Sequence, residues 1–145
     1  MLEVGASAPG FSVLDHTGKT VSLSALRGKK VVLWFYPKAD TPGCTAEGCA
    51  FRDRQSKFEQ KNTVLLGVSF DSVSENAAFA KKFGFEFPLL CDTERAVGIA
   101  YGACEKMQDT YAKRIAYVID ESGKVAKAFP KVEAAAFPEF VLGQL

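Results

Sequence analysis

The chain has 145 residues, of which 48% are hydrophobic, and 18 basic against 17 acidic residues give a formal net charge of +1. The length is that of one domain with one core, which we expect to span residues 1–145. The balanced charge gives no electrostatic basis for nucleic acid or an anionic membrane as the main partner, and no apolar run reaches the length of a membrane span.

The first half of the chain predicts three strands and one long helix. Residues 11–14 and 20–23 are short strand candidates on either side of a turn. Residues 30–36, KVVLWFY, form a continuous apolar run typical of a strand buried on both faces, and Pro37 ends it. After a loop, residues 45–61 carry a helical pattern.

The second half predicts further strands and helices in alternation. In chain order these are a strand at 63–70, a helix at 72–83, a strand at 87–91, a helix at 94–101, a hairpin of strands at 114–119 and 124–129, and a terminal helix at 133–145. Such alternation indicates an α/β domain with a largely parallel central sheet and an antiparallel edge from the hairpin. The early strands would extend or cover that sheet. The pattern is compatible with a thioredoxin-like fold, and other small α/β folds also fit it.

Cys44 lies where the loop is predicted to become a helix. The first turn of a helix has unpaired N–H groups and a partial positive charge, which favour a thiolate over a thiol. The thiolate is the reactive nucleophile, so the position suggests a reactive cysteine. The alternative is a small apolar side chain buried at a helix start.

Cys49 follows Cys44 by five residues. In an intact helix this spacing puts the two Cα atoms roughly 8 to 9 Å apart on nearly opposite faces. A disulfide usually needs Cα atoms within about 7 Å, so a Cys44–Cys49 bond would require the first turns to unwind. Gly48 and the Pro42-Gly43 turn make the helix start weak, which would lower the cost of unwinding. Reversible disulfide formation after oxidation of a thiolate suits a peroxide-reducing cycle.

Other uses of the four cysteines remain open at this point. A metal-binding module would need closer ligand pairs than Cys91 and Cys104 provide, although the Cys44–Cys49 gap is at the edge of the usual range. A thioredoxin-type oxidoreductase would need a Cys-x-x-Cys pair, which the chain lacks. A redox sensor or holdase would use the same first chemistry and would differ in its partners.

The block FYPKADTPGCTAEGCAFRD at residues 35–53 resembles the active-site segment of the peroxiredoxins. It is most similar to the bacterioferritin comigratory protein, or peroxiredoxin Q, branch. The likeness includes GKKVVLWFYP before the block, and VLLGVSFDSVSENAAFAKKFGFEFPLLCDTE and RIAYVIDESGKV after it, and it covers residues 4–129. The resemblance implies a thioredoxin-like fold in which helices flank a central mixed sheet, with an N-terminal strand extension.

The resemblance also implies roles for five residues. Cys44 would be the peroxidatic cysteine, and Cys49 the resolving cysteine of an intramolecular disulfide. Pro37 would shield the sulfur from water, and Thr41 would offer its hydroxyl to thiolate and peroxide. Arg114 would stabilise the thiolate and orient the peroxide.

Four further residues have lesser expected roles. Glu47 matches the family's acidic residue and would hold Arg114 or cap the helix start. Cys91 is expected to be a small buried residue and Cys104 an exposed thiol, neither of them catalytic, with Cys91 the second choice as resolver. His16 is expected to be a solvated turn residue.

The implied function is a thiol peroxidase for antioxidant defence that reduces hydrogen peroxide and organic hydroperoxides. Thioredoxin or a glutaredoxin-like protein would recycle it, and no metal or other cofactor is required. We also expect a monomer and, because residues 1–11 lack the features of a secretory signal, a cytoplasmic location.

Overall fold

The structure of the protein, a computed structural model that describes all 145 residues, contains every predicted strand. The strands are β1 (Ser12–Leu14), β2 (Thr20–Ser22), β3 (Lys30–Phe35), β4 (Thr63–Ser69), β5 (Leu89–Cys91), β6 (Ala116–Ile119) and β7 (Val125–Phe129). The strands β5 and β6 each begin two residues later than predicted, so Arg114 lies in the loop before β6. The helices are α1 (Pro42–Gln60), α2 (Val73–Phe83), α3 (Ala96–Tyr101) and α4 (Phe137–Leu142).

The central sheet has the strand order β5-β4-β3-β6-β7. Its β5, β4 and β3 strands run parallel, whereas β6 is antiparallel to both β3 and β7. This is the mixed, thioredoxin-like sheet that was expected. The strands β1 and β2 form a separate antiparallel hairpin, and a single bridge from Asp15 to Leu90 joins it to the β5 side of the sheet.

Alternate residues of β3 face two apolar clusters on opposite sides of the sheet. Val31, Leu33 and Phe35 belong to the cluster that includes α3. Val32 and Trp34 belong to the cluster formed with α1, α2 and α4. The predicted burial of this strand on both faces is therefore confirmed. No helix of the protein combines the length and apolar character needed to cross a bilayer.

The main differences from the sequence prediction lie at helix ends. Helix α1 begins at Pro42, three residues before the predicted start, because proline's fixed φ and missing N–H suit the first helical position. Helix α2 begins at Val73, one residue after the predicted start, because Ser72 is its N-cap and forms a capping box with Glu75. The last helix is confined to residues 137–142, with Pro138 in its first turn. His16 is half-buried and accepts a hydrogen bond from the Leu89 amide at 3.1 Å, so its expected solvation was wrong.

Candidate active site

The candidate site lies at the carboxyl end of β3, where the 37–41 loop (residues 37–41) leads into α1. Cys44 is the third residue of α1 and is 0% exposed. Pro42 has no N–H, and the Thr45 amide makes the first helical bond to the Thr41 carbonyl at 2.9 Å. The free first-turn amides are therefore those of Gly43 and Cys44, which places the sulfur in the electropositive start of the helix.

Arg114 brings a guanidinium to the sulfur. Its Nη2 donates to Cys44 Sγ at 3.3 Å, and its Nη1 donates to Glu47 Oε1 at 2.7 Å. Burial would lower the pKa of Arg114, but the neighbouring Cys44 and Glu47 outweigh it and raise that pKa, so the group stays charged. Gly43 permits this approach, since a Cβ there would lie 3.0 Å from Nη2.

Glu47 lies one turn after Cys44 and is 0% exposed. Burial raises its pKa to about 7, against the lowering effect of Arg114. Only Oε1 has a hydrogen-bond partner, and Oε2 is buried without one. The expectation that Glu47 holds Arg114 is therefore met by a direct contact.

Thr41 and Pro37 lie in the 37–41 loop. The Thr41 hydroxyl donates to the Lys38 carbonyl at 2.8 Å, so its hydrogen is committed and its lone pairs remain available as acceptors. Pro37 follows the fully buried Tyr36 and is itself half-buried. It lines a cavity of about 240 Å³ together with Phe70 and other residues at this edge of the sheet.

Cys49 also lies in α1, and it is half-buried against the apolar cluster that contains Cys44. Both thiols are free. The intervening Gly48 packs against the Phe85 ring so closely that a Cβ on it would lie 2.5 Å from Phe85 Cζ. The helix is therefore intact between the two cysteines in the reduced state, in which no disulfide joins them.

The other two cysteines lie away from this constellation. Cys91 is buried and accepts a hydrogen bond from Asn76 Nδ2 at 3.4 Å. Cys104 is only 4% exposed, so the expectation of an exposed thiol there is wrong: it packs beside Gly98. Burial raises the pKa of both thiols, which disfavours their reactive thiolate form. No group of three or more His, Cys, Asp or Glu side chains is placed to hold a metal ion.

A buried polar cluster beside the site was missed by the sequence reasoning. It consists of Tyr36, Ser69, Asp71 and Asn76. The available signal was topological: the carboxyl ends of neighbouring parallel strands meet at one edge of a sheet, so polar residues after β4 lie beside the loop that follows β3.

Comparison with known proteins places this chain in a family. The model of the family described as AhpC/TSA matches residues 4–128. A Coxiella burnetii protein named as a bcp peroxiredoxin is 40% identical over 149 residues, covering 99% of each chain. The chloroplastic peroxiredoxin Q of Triticum aestivum is 42% identical over 121 residues, which are 83% of this chain and 56% of that protein.

A solved structure gives the same result for the fold. The bacterioferritin comigratory protein of Xanthomonas campestris, described in connection with alkyl peroxide reduction activity, superposes with a TM-score of 0.88 at 32% identity. The match covers 99% of this chain and 95% of that one. The mixed α/β, thioredoxin-like fold is therefore that of a solved peroxide-reducing protein.

Proposed function

Because this chain belongs to the AhpC/TSA family of peroxiredoxins and to its bacterioferritin comigratory protein and peroxiredoxin Q branch, it is a thiol peroxidase, and we propose that Cys44 is its peroxidatic cysteine. The observation that carries the assignment is the contact of 3.3 Å between Arg114 Nη2 and Cys44 Sγ in the first turn of α1. No other cysteine of the chain has a cation within hydrogen-bond distance.

In the first step the Cys44 thiolate attacks one oxygen of the hydroperoxide. An S–O bond forms and the O–O bond breaks, and the electron pair of that bond goes to the leaving oxygen. The leaving oxygen takes up from solvent a proton equivalent to the one that Cys44 lost on ionisation, and it departs as water or an alcohol. Arg114 stabilises the thiolate and the charge that develops on the oxygens. The Thr41 hydroxyl oxygen accepts a hydrogen bond from the O–H group of the peroxide, and Pro37 shields the sulfur from bulk water.

In the second step the Cys49 thiol condenses with the Cys44 sulfenic acid, forming an S–S bond and releasing water. The two residues are too far apart in an intact helix, so residues 43–49 must unwind first. An external dithiol then reduces the disulfide by exchange, which regenerates both thiols. Peroxiredoxins of this kind use a thioredoxin-type reductant, and we propose thioredoxin itself, with a glutaredoxin-like protein as the second candidate.

We further propose hydrogen peroxide and small organic hydroperoxides as substrates, in keeping with the activity named for the Xanthomonas relative. Cys44, Cys49 and Arg114 all come from one chain, which supports a single-domain enzyme that works as a monomer. Because the cycle starts from free thiols, we propose the reducing cytoplasm as its location. Sedimentation tests the monomeric state, and cell fractionation tests the cytoplasmic location.

The test is a mass map of the cysteines. Fully reduced protein is mixed with one equivalent of hydrogen peroxide, quenched and alkylated. We expect a Cys44–Cys49 disulfide with Cys91 and Cys104 alkylated. A disulfide from Cys44 to Cys91 or Cys104 would move the resolving role, and four alkylated thiols would contradict the peroxidatic assignment.

Single variants separate the two roles. Cys44→Ser should abolish peroxide consumption, whereas Cys49→Ser should consume one equivalent and stop at the sulfenic acid. Cys104→Ser is the matched control and should turn over like the natural chain. Full turnover by Cys44→Ser would refute the assignment.

A further inference from the structure

The 37–41 loop carries two residues of the proposed site but has no regular secondary structure of its own. It follows Tyr36, the residue after the end of β3, and enters α1 at Pro42. Asp40 within it has φ of 62°, in the left-handed region that non-glycine residues rarely adopt, although aspartate does so more readily than most. The loop therefore depends on contacts from outside for its conformation.

Asp71 supplies the contacts to Lys38 and Ala39, and Lys82 of α2 binds the Asp40 carboxylate at 2.9 Å. Asp71 Oδ1 accepts from Lys38 Nζ at 2.6 Å, and its Oδ2 accepts from the Ala39 amide at 2.8 Å. Oδ2 also accepts from the Ser69 hydroxyl at 2.8 Å. The Asp71 side chain is only 2% exposed, so these are contacts of a buried carboxylate rather than a surface ion pair.

Asp71 is itself held rigidly. It lies between Ser69, the last residue of β4, and Ser72, the N-cap of α2. A capping box between Ser72 and Glu75 fixes the start of that helix. The loop is thus attached to a strand–helix junction whose own position is set by the sheet.

The residue before the loop is anchored to the same cluster. The Tyr36 hydroxyl donates to Asn76 Oδ1 at 2.6 Å, and Asn76 Nδ2 donates to Ser69 Oγ at 3.2 Å. Pro37 therefore lies between two anchored neighbours, Tyr36 and Lys38. On the other side, the Lys38 carbonyl accepts the Thr41 hydroxyl, so a shift of Lys38 is transmitted directly to Thr41.

We propose that Asp71 is a positioning residue for peroxide reduction. It contacts neither Cys44 nor the peroxide, and it acts through Lys38 and Ala39 to set where Pro37 and Thr41 stand relative to the sulfur. The inference rests on the proposed peroxidatic role of Cys44. A displacement of about 1 Å in a reacting group can lower a rate about a hundredfold, so a loosened loop should have a large kinetic effect.

Asp71→Asn tests the proposal, because it keeps the shape of the side chain but removes the charge and one acceptor. Two second-order rates of the reduced protein are measured. The first is oxidation of Cys44 by hydrogen peroxide, and the second is its alkylation by iodoacetamide, which needs the thiolate but not an oriented peroxide. We expect the peroxide rate to fall at least tenfold and the alkylation rate to change less than threefold.

Glu75→Gln is the matched control. Glu75 is the other carboxylate bound to Lys38 Nζ, at 2.7 Å, but it is 49% exposed and does not contact the loop backbone. Glutamine can replace glutamate in a capping box, so α2 should keep its start. Both rates should stay within twofold of those of the natural chain.

An unchanged peroxide rate in folded Asp71→Asn would overturn the proposal, and so would an equal fall in both rates, which would indicate loss of the thiolate. If Asp71→Asn does not fold, Lys38→Met decides: Lys38 is 41% exposed, and Asp71 keeps its hydrogen bonds to the Ala39 amide and the Ser69 hydroxyl. A selective loss of the peroxide rate supports the proposal there, and an unchanged rate overturns it. Failure of the natural chain to react through Cys44 would instead refute the proposed function.

Discussion

The buried Glu47 carboxyl makes the stability of the reduced enzyme depend on pH. Two effects oppose each other at this position. Opposite charges about 4 Å apart attract by about 4 kcal/mol at an effective dielectric constant of about 20. Taking a carboxylate out of water costs several kcal/mol, and Oε2 has no hydrogen bond to offset that cost. Burial is the larger effect here, so it raises the pKa of Glu47 despite the Arg114 contact.

The magnitude follows from the pKa. A folded-state pKa of about 7, against 4.5 for an ordinary glutamate, corresponds to about 3 kcal/mol. The folded protein holds this proton more tightly than the unfolded chain does. The contribution of the protonated form is therefore fully present below about pH 4.5, and it is lost as the pH rises through about 7.

Glu47→Gln removes the titration while keeping the size of the side chain and an oxygen for Arg114. We expect the free energy of unfolding of the natural chain, minus that of Glu47→Gln, to fall by about 3 kcal/mol between pH 4.5 and pH 8. The assay is urea unfolding of both proteins at half-unit steps of pH, with all cysteines kept reduced. Most of the change should be complete by pH 7.

Glu59→Gln is the control for this experiment. It makes the same chemical change in the same helix, but at an exposed position. Any change of its difference from the natural chain with pH is the baseline from which the change for Glu47→Gln is measured. A constant difference for Glu47→Gln would mean that burial and the attraction to Arg114 cancel, and a rising difference would mean that the attraction is larger. Either result would refute the reasoning.

Three substitutions around the sulfur have further expected outcomes. Arg114→Lys replaces the two-pronged donor with a single point charge and should lower the rate of Cys44 oxidation about 10² to 10³-fold in stopped-flow measurements. Gly43→Ala puts a Cβ 3.0 Å from Arg114 Nη2 and should lower the same rate about ten- to a hundredfold, with an unchanged rate contradicting the need for close approach. Gly48→Ala puts a Cβ 2.5 Å from the Phe85 ring, so it should destabilise the reduced fold by about 1–3 kcal/mol and speed hydrogen exchange of residues 43–49. Gly10→Ala is its control, because a Cβ at residue 10 meets no atom within 4 Å, and it should have neither effect.

The regular elements could be predicted because each has a local signal. The apolar run before Pro37 predicts β3 almost to the residue, and the Pro42-Gly43 turn marks the start of α1 within three residues. The presence of Cys44 in an electropositive first turn follows from the same local signal. The fold and the Arg114 assignment came from the resemblance of long segments to a family, since no periodicity brings residue 114 to residue 44.

What the sequence could not supply were contacts between elements distant in the chain. The Phe85 ring against Gly48, and the unpartnered Glu47 Oε2, depend on side-chain packing between α1 and its neighbours. Cys104 was misjudged because its segment is polar, yet its own side chain turns inward beside Gly98. Asp71 has no motif that singles it out, and its role appears only when β4 is placed beside β3.

These contacts suggest how one helix start could serve both steps of the proposed cycle. The first turns of α1 contain weak helix formers, and above about pH 7 they also contain a buried, ionised Glu47. The Arg114 contact with the Cys44 sulfur offsets that weakness only while the sulfur carries a negative charge. Oxidation to a neutral sulfenic acid removes the charge and weakens the contact, so unwinding toward Cys49 should follow the reaction with peroxide. Hydrogen exchange of residues 43–49 should therefore be slow in reduced protein and fast in Cys49→Ser held at the sulfenic acid. Equal exchange rates in the two states would show that oxidation of Cys44 does not cause the helix to unwind.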